Sequence, residues 1–318
     1  MNIYYQDEGI VLHHGDALDV ARTLESGSVD CIVTSPPYYG LRDYGNEGQY
    51  GLEESPASYV ETMRALFSEL RRVLADDGTL WLNLGDSYSS GKGGRQGAGQ
   101  RDGRAFTAQG LGGNGGMPHK NLLGVPWRVA FALQDDGWIL RNAIIWHKPN
   151  AMPESVTDRL SCRYEQVFMF SKSQRYHFNL DPIREGAITS DRTVTYKTRY
   201  RTGYSGSAMG DAHRDPGADG LGSNPAGKNP GDMWSINTQP FGGAHFAVMP
   251  QELARRAIVA GCKPGGTVLD PFSGSGTTGL AAQNNGRKYV GIDLSASYLK
   301  LSLETRLQNA TLDFKDPS

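Results

Sequence analysis

The chain is short of several things, and each shortage narrows what it does. It has three cysteines in 318 residues, Cys31, Cys162 and Cys262, with no Cys-x-x-Cys pair among them. That spacing argues against the common zinc sites and against a disulfide scaffold, and it suits a reducing compartment. No apolar run is long enough to cross a bilayer. The N-terminus lacks the basic-then-apolar pattern of a secretion signal. These absences predict a soluble protein of the cytoplasm. Neither sign of charge dominates: the formal net charge is −2, so any basic surface is local. There is no internal repeat.

Glycine is abundant, with 41 residues, and two glycine-rich tracts stand out, 91–116 and 203–231. Elsewhere strand-like and helix-like stretches alternate. Strands are expected at 9–16, 29–34, 79–86, 139–147, 165–172, 266–270 and 288–294. Helices are expected near 17–25 and at 55–78, 122–135, 250–262, 277–285 and 295–307. The helix over 55–78 is the clearest. Ser55 can cap it, Pro56 suits its first turn, and Val60, Met63, Phe67, Leu70 and Leu74 recur at helical spacing up to a stop at Asp77-Gly78. Alternating β and α units predict a mostly parallel sheet with helices on both faces.

Two stretches carry chemistry. The first is "VTSPPYYG" (33–40). A buried strand stops there, because proline lacks the N–H that a sheet ladder needs. Ser35-Pro36-Pro37-Tyr38 therefore forms a rigid loop at a strand's carboxyl end, where open α/β sheets bind ligands. The second is "TVLDPFSGSGTTGLAA" (267–282). A strand ends at Asp270, a Gly274-Ser275-Gly276 turn follows, and a helix starts near Thr277. About 18 residues on, "YVGIDLS" sets Asp293 at the end of the next strand, placed to hold ribose hydroxyls. The loop lacks a full G-x-G-x-x-G and the Gly-Lys-Ser/Thr of a phosphate-binding loop. An aspartate at 270 would repel a pyrophosphate but suit a cationic amino-acid moiety. That favours S-adenosylmethionine over NAD.

Together, "TSPPYYG" and "VLDPFSGSGTT" resemble the amino-methylating DNA methyltransferases, which act on cytosine N4 or adenine N6. The catalytic motif precedes the cofactor loop by more than 200 residues, an order that resembles the beta class. The resemblance covers most of the chain. It implies a Rossmann-like α/β fold dependent on S-adenosylmethionine, with a mostly parallel seven-stranded sheet and an inserted target-recognition region. Residues 1–181 would form the catalytic half, with a flexible glycine-rich loop at 87–121. Residues 182–240 would form the insert, and 241–318 the cofactor-binding half.

Residue by residue, the resemblance places Phe272, Ser273, Gly274, Ser275, Gly276 and Thr277 around the cofactor. It puts His245, Phe246 and Pro250 at the methionine pocket and Asp16 at the adenine. "NAIIWHKPN" (142–150) resembles the segment beside the target base, which makes Trp146 and Lys148 candidates. Ser35 and the Pro36 carbonyl would accept the amine N–H bonds, with Pro37 stiffening the loop and the Tyr38 ring stacking on a base turned out of the duplex. Serine at position 35 is typical of the cytosine-N4 enzymes; adenine N6 is the alternative. None of the cysteines follows a proline, which argues against cytosine C5 chemistry.

"RTVTYKTRYRTGY" (192–204) interleaves Arg192, Lys197, Arg199 and Arg201 with tyrosines and carries no acid, a pattern suited to phosphates and bases. Arg159 and Arg163 suit either phosphates or a nearby acid. The implied partner is double-stranded DNA, with a homodimer and a cognate restriction endonuclease as further candidates, at the nucleoid of a bacterial or phage-infected cell. Three other readings stand beside this one. They are a protein or RNA amide methyltransferase, a DNA-binding protein that senses the cofactor without turnover, and an NAD oxidoreductase.

Overall fold

The computed structural model describes residues 3–89, 116–186, 226–239 and 248–308. Arg192, Lys197, Arg199, Arg201, His245 and Phe246, and most of the 87–121 tract, lie outside the described residues.

The expected strands form as β2 (Ile10–His14), β3 (Val29–Thr34), β4 (Leu74–Leu84), β5 (Ile139–His147), β6 (Tyr164–Ser171), β8 (Thr267–Asp270) and β9 (Lys288–Asp293). Two short edge strands join them, β1 (Ile3–Gln6) and β7 (Met233–Ser235). The described residues thus build one nine-stranded sheet, ordered β1-β2-β9-β8-β3-β4-β6-β5-β7, where seven strands were expected. β1 and β7 have four and three residues, too short for the alternation that marks a strand in a sequence. The run from β2 to β4 is parallel, and β6 is antiparallel to both β4 and β5. A direct loop joins β5 to β6, so the chain doubles back instead of crossing over a helix.

Helices α1 (Ala17–Thr23), α2 (Pro56–Val73) and α3 (Val125–Asp135) cover one face; α4 (Gln251–Gly261), α5 (Thr277–Gln283) and α6 (Ala296–Ser302) cover the other. Strand alternation decides which residue faces which layer. In β3, Val29 and Ile32 enter the first core, Cys31 and Val33 the second. In β6, Phe168 and Phe170 pack with the first, Val167 and Met169 with the second. Cys31 is buried, as its mid-strand place predicts.

The helix over 55–78 is corrected at its end. The Ser55 hydroxyl does accept from the Ser58 N–H at 3.1 Å, and Pro56 opens α2. The helix stops at Val73, and Leu74 is already extended and paired with Val29. Its inward face is Tyr59, Met63, Leu66, Phe67, Leu70 and Val73. Leu74 continues the apolar spacing in sequence, but its backbone belongs to the sheet. Between Leu74 and Thr79 the ladder shifts register, which takes up Asp76, Asp77 and Gly78 without a separate turn.

Candidate active site

The strand order brings the two sequence motifs together. From β8 the chain moves outward to β9; from β3 it moves outward the other way to β4. Their shared border, with Cys31 opposite Val268 and Ile32 opposite Leu269, is the point where the topology reverses. A crevice opens at the carboxyl ends of strands at such a point. Ser35 follows β3 and the glycine loop follows β8.

Thr34 and Asp270 pin these ends to each other. The Thr34 hydroxyl donates to Asp270 Oδ1 at 2.7 Å, the Thr278 hydroxyl to Oδ2 at 2.7 Å, and the Phe272 N–H to Oδ1 at 3.0 Å. Asp270 is 3% exposed, and burial pushes its carboxyl up to about 6 against the relief those donors supply. This corrects the expectation of an aspartate offered to a cation. The side chain is turned inward, and its role is to shape the loop.

The loop that follows depends on glycine at two points. Gly274 has φ +50° and Gly276 φ +75°, the left-handed region that other residues avoid. A Cβ at Gly276 would also sit 2.8 Å from Ser302 Cβ. The loop's N–H groups are largely turned into the protein. Ser273 donates to the Ile292 carbonyl, Gly276 to the Ser273 carbonyl, and Gly274 to Asp293 Oδ2 at 2.7 Å. The Ser273 hydroxyl accepts from Tyr289, and the Thr277 hydroxyl accepts from Arg306. Phe272 meets Tyr50 edge-on at 5.2 Å between centroids.

Asp293 ends β9 half-buried, with Oδ1 accepting the Ser295 N–H at 2.8 Å; burial raises its carboxyl above the usual range. Asp16 is the N-cap of α1, its Oδ1 accepting from Leu18 and Asp19. Pro250 is buried at the start of α4.

On the β3 side, Pro36 is buried and the Pro37 carbonyl accepts from the Tyr59 hydroxyl at 2.9 Å. The Ser35 hydroxyl donates to Tyr38 Oη at 3.2 Å, and Tyr38 donates to Glu165 Oε2 at 2.6 Å. Asn83 Nδ2 lies 3.2 Å from Ser35 Oγ, 2.5 Å from Tyr38 Oη and 2.9 Å from Glu165 Oε2, so its two N–H bonds serve three acceptors. Lys148 pairs with Glu165 Oε1. The Tyr38 ring lies on Gly85, where an added Cβ would come within 2.5 Å of it. Burial, then Glu165, pushes the Tyr38 hydroxyl well above its ordinary value.

Trp146 is corrected outright. It is 3% exposed, its indole N–H donates to the Ile236 carbonyl at 2.8 Å, and its ring lies 4.5 Å under the Lys148 ammonium. So buried, it presents no surface to DNA in this structure, and its ring lies against Lys148. Lys148 in turn is engaged with Glu165 inside the site. Arg159 resolves towards a nearby acid, pairing with Glu154 at 2.7 Å over the Tyr88 ring.

Asn83 and Glu165 went unnoticed in the sequence. A lone Asn in the apolar run "LWLNLGD" was a signal for the first. Glu165 had none, because only the reversed direction of β6 brings its first residues to this end of the sheet.

With this geometry in view, likeness to known proteins becomes specific. A model of the DNA methylase family N6_N4_Mtase matches residues 29–304. Type II methyltransferase M.Cfr9I of Citrobacter freundii is 44% identical over 304 residues, covering 94% of this chain and 88% of that one. Type II methyltransferase M.XycI of Xanthomonas campestris pv. cyanopsidis is 46% identical over 306 residues, with 94% and 88% covered. Among solved structures, the PvuII DNA methyltransferase (cytosine-N4-specific) superposes with a TM-score of 0.65 at 18% identity, covering 99% of this chain and 91% of that one. TTHA0409 of Thermus thermophilus, complexed with S-adenosyl-L-methionine, does so at 0.58 and 22% identity, with 95% of each chain covered. The chain belongs to the N6/N4 family of DNA methylases.

Proposed function

We propose that the protein transfers a methyl group from S-adenosylmethionine to the exocyclic N4 of a cytosine turned out of double-stranded DNA. The observation that carries the reading is Ser35 Oγ. It donates to Tyr38 and lies 3.2 Å from Asn83 Nδ2, so even with Asn83 donating to it one of its two lone pairs remains for an amine N–H. It stands at the topological switch point, joined to the glycine loop through Thr34 and Asp270.

The loop fits this cofactor better than a nucleotide phosphate. Its N–H groups at Phe272, Ser273, Gly274 and Gly276 are already bonded within the protein, so they form no phosphate cradle. Asp293 retains lone pairs for ribose hydroxyls, and Asp16, whose Oδ1 accepts from Leu18 and Asp19 at the start of α1, would meet the adenine. The turn from Phe272 to Thr277, with Pro250 and the neighbouring His245 and Phe246, would hold the methionine part. When bound, S-adenosylmethionine supplies an electrophilic methyl carbon on a sulfonium.

The chain's own residues then orient the amine. Its lone pair is delocalised into the base, and acceptors on its N–H bonds favour the pyramidal form that attacks. Ser35 Oγ would be one acceptor and the Pro36 carbonyl the other, with the prolines fixing that carbonyl before the substrate arrives. The likeness to Type II methyltransferases supports DNA as substrate and a restriction endonuclease as cellular counterpart. Serine at position 35 supports N4. The test is to incubate the protein with unmethylated genomic DNA and labelled S-adenosylmethionine, digest to nucleosides and weigh them. N4-methylcytosine is expected; N6-methyladenine overturns the choice of base.

A further inference from the structure

Ser35, Tyr38 and Glu165 lie in an unbroken donor-to-acceptor line that ends on a carboxylate. Ser35 Oγ donates to Tyr38 Oη at 3.2 Å, and Tyr38 Oη donates to Glu165 Oε2 at 2.6 Å. We propose that this line is a proton relay, which carries the proton lost by the methylated amine to Glu165. The proposal rests on the amino-methylation reading above and applies to either exocyclic amine.

Valence decides the direction. Tyr38 Oη donates to Glu165 and accepts from Ser35, and Asn83 Nδ2, whose two N–H bonds are shared among three acceptors, lies 2.5 Å from it, so the Tyr38 hydroxyl is turned to its protein partners. Glu165 Oε2 accepts from Tyr38 and Asn83, and Oε1 from Lys148. Among the described residues, a Ser35 lone pair is the open position at the substrate end of the line. Lys148 and Asn83 hold the carboxylate while it is anionic, and Glu165 is only 15% exposed. Tyr38 stays a neutral phenol, since burial and the adjacent carboxylate both oppose its ionisation. It passes a proton and does not store one.

The step balances. The amine lone pair forms the N–C bond; the C–S bond breaks, its electron pair stays on sulfur, and the sulfonium becomes a thioether. A protonated exocyclic amine has lost its conjugation and is a strong acid. Its proton moves to Ser35 Oγ as the Ser35 proton moves to Tyr38 Oη and the Tyr38 proton to Glu165 Oε2. One proton passes from nitrogen to carboxylate, which later returns it to water. Ser35 alone could not keep that proton.

The groups facing Glu165 are Lys148 beyond β5, Tyr38 beyond β3 and Asn83 of β4. Tyr59 of α2 is turned to the Pro37 carbonyl, and His147 is turned to Ser235 on β7. Glu165 is thus the carboxylate whose charge the relay needs.

The experiment is single-turnover methyl transfer to unmethylated genomic DNA with labelled S-adenosylmethionine, run in mixtures of light and heavy water. The wild type should show a solvent deuterium effect that curves with deuterium fraction, because several protons move together. Glu165→Gln should slow transfer about 100-fold and flatten that effect, while calorimetric affinity for S-adenosylmethionine stays within about twofold. Tyr38→Phe should slow transfer similarly and flatten the solvent effect. Wild-type rates in the variants, or slow variants that keep the curved solvent effect, overturn the relay. So does a wild type without a solvent effect, a result that needs no variant to fold. A wild type that yields no methylated base overturns the amino-methylation reading itself, and the relay with it.

Discussion

Ser35 and Asp270 show how much one atom's surroundings decide. Ser35 Oγ sits beside the Tyr38 hydroxyl and the Asn83 amide, and the proposed function gives it the amine as a further partner. Ser35→Ala should therefore lower single-turnover methyl transfer by about 100-fold or more, while calorimetry finds S-adenosylmethionine binding within about twofold of wild type. Equal losses in both would mean that Ser35 shapes the pocket and does not orient the amine. Asp270 has its carboxyl raised from 3.8 to about 6 by burial. Between those values the folded protein binds a proton that the unfolded chain does not. Its contribution to stability is thus present below about pH 4 and is lost as pH rises through about 6. Denaturant titrations of wild type and Asp270→Asn should diverge in favour of wild type by about 2–3 kcal/mol between about pH 7 and about pH 4. A gap that does not change with pH would show that Asp270 does not titrate in this window.

At the scale of elements, the turns into helices carry the site. Gly276 begins α5 at φ +75° and faces Ser302 of α6 at close range. Gly276→Ala combines backbone strain with a clash, and should lower stability by about 1–3 kcal/mol and weaken S-adenosylmethionine binding with it. Thermal unfolding with and without cofactor reads both. The start of α3 has no side chain at its own cap, since Gly124 stands there with φ +67°. Asp86, at the end of β4, supplies the acceptors instead, taking the Gly124 N–H at 3.0 Å and the Val125 N–H at 3.1 Å. Asp86→Ala should lower stability by about 1–2 kcal/mol, read as an earlier urea midpoint with an unchanged slope. No change would mean that water replaces the carboxylate at little cost.

At the scale of the whole molecule, the sheet's strand order makes one site from distant pieces. Residues near 16, 35, 83, 165, 270 and 293 meet because β2, β3, β4, β8 and β9 end on one side and β6 begins there. DNA must reach this edge, and the basic, tyrosine-rich stretch at 192–204 is the sequence's candidate for the task. Replacing Lys197, Arg199 and Arg201 by Gln should weaken DNA binding and make it less steeply dependent on salt, by about one unit of log–log slope for each phosphate no longer neutralised. An unchanged slope would move the DNA surface elsewhere.

The sequence by itself determined the strand-and-helix alternation, the cofactor loop and the Ser-Pro-Pro-Tyr turn. These are local matters of period, proline and glycine. The seven main strands and the helices they alternate with were legible for that reason. So was the pairing of the two motifs as one chemistry. Only the tertiary structure decided which polar groups face the crevice. Trp146 reads as a candidate beside the target base until Ile236, just after β7, brings its carbonyl to the indole. Asp270 reads as a cofactor contact until Thr34 and Thr278 close on it from two other elements. Glu165 reads as the first charge of a strand until β6 runs backwards and sets it beside Tyr38. A side chain's partners lie across the sheet, at separations that no local pattern records, and burial beside those partners decides its charge and its role.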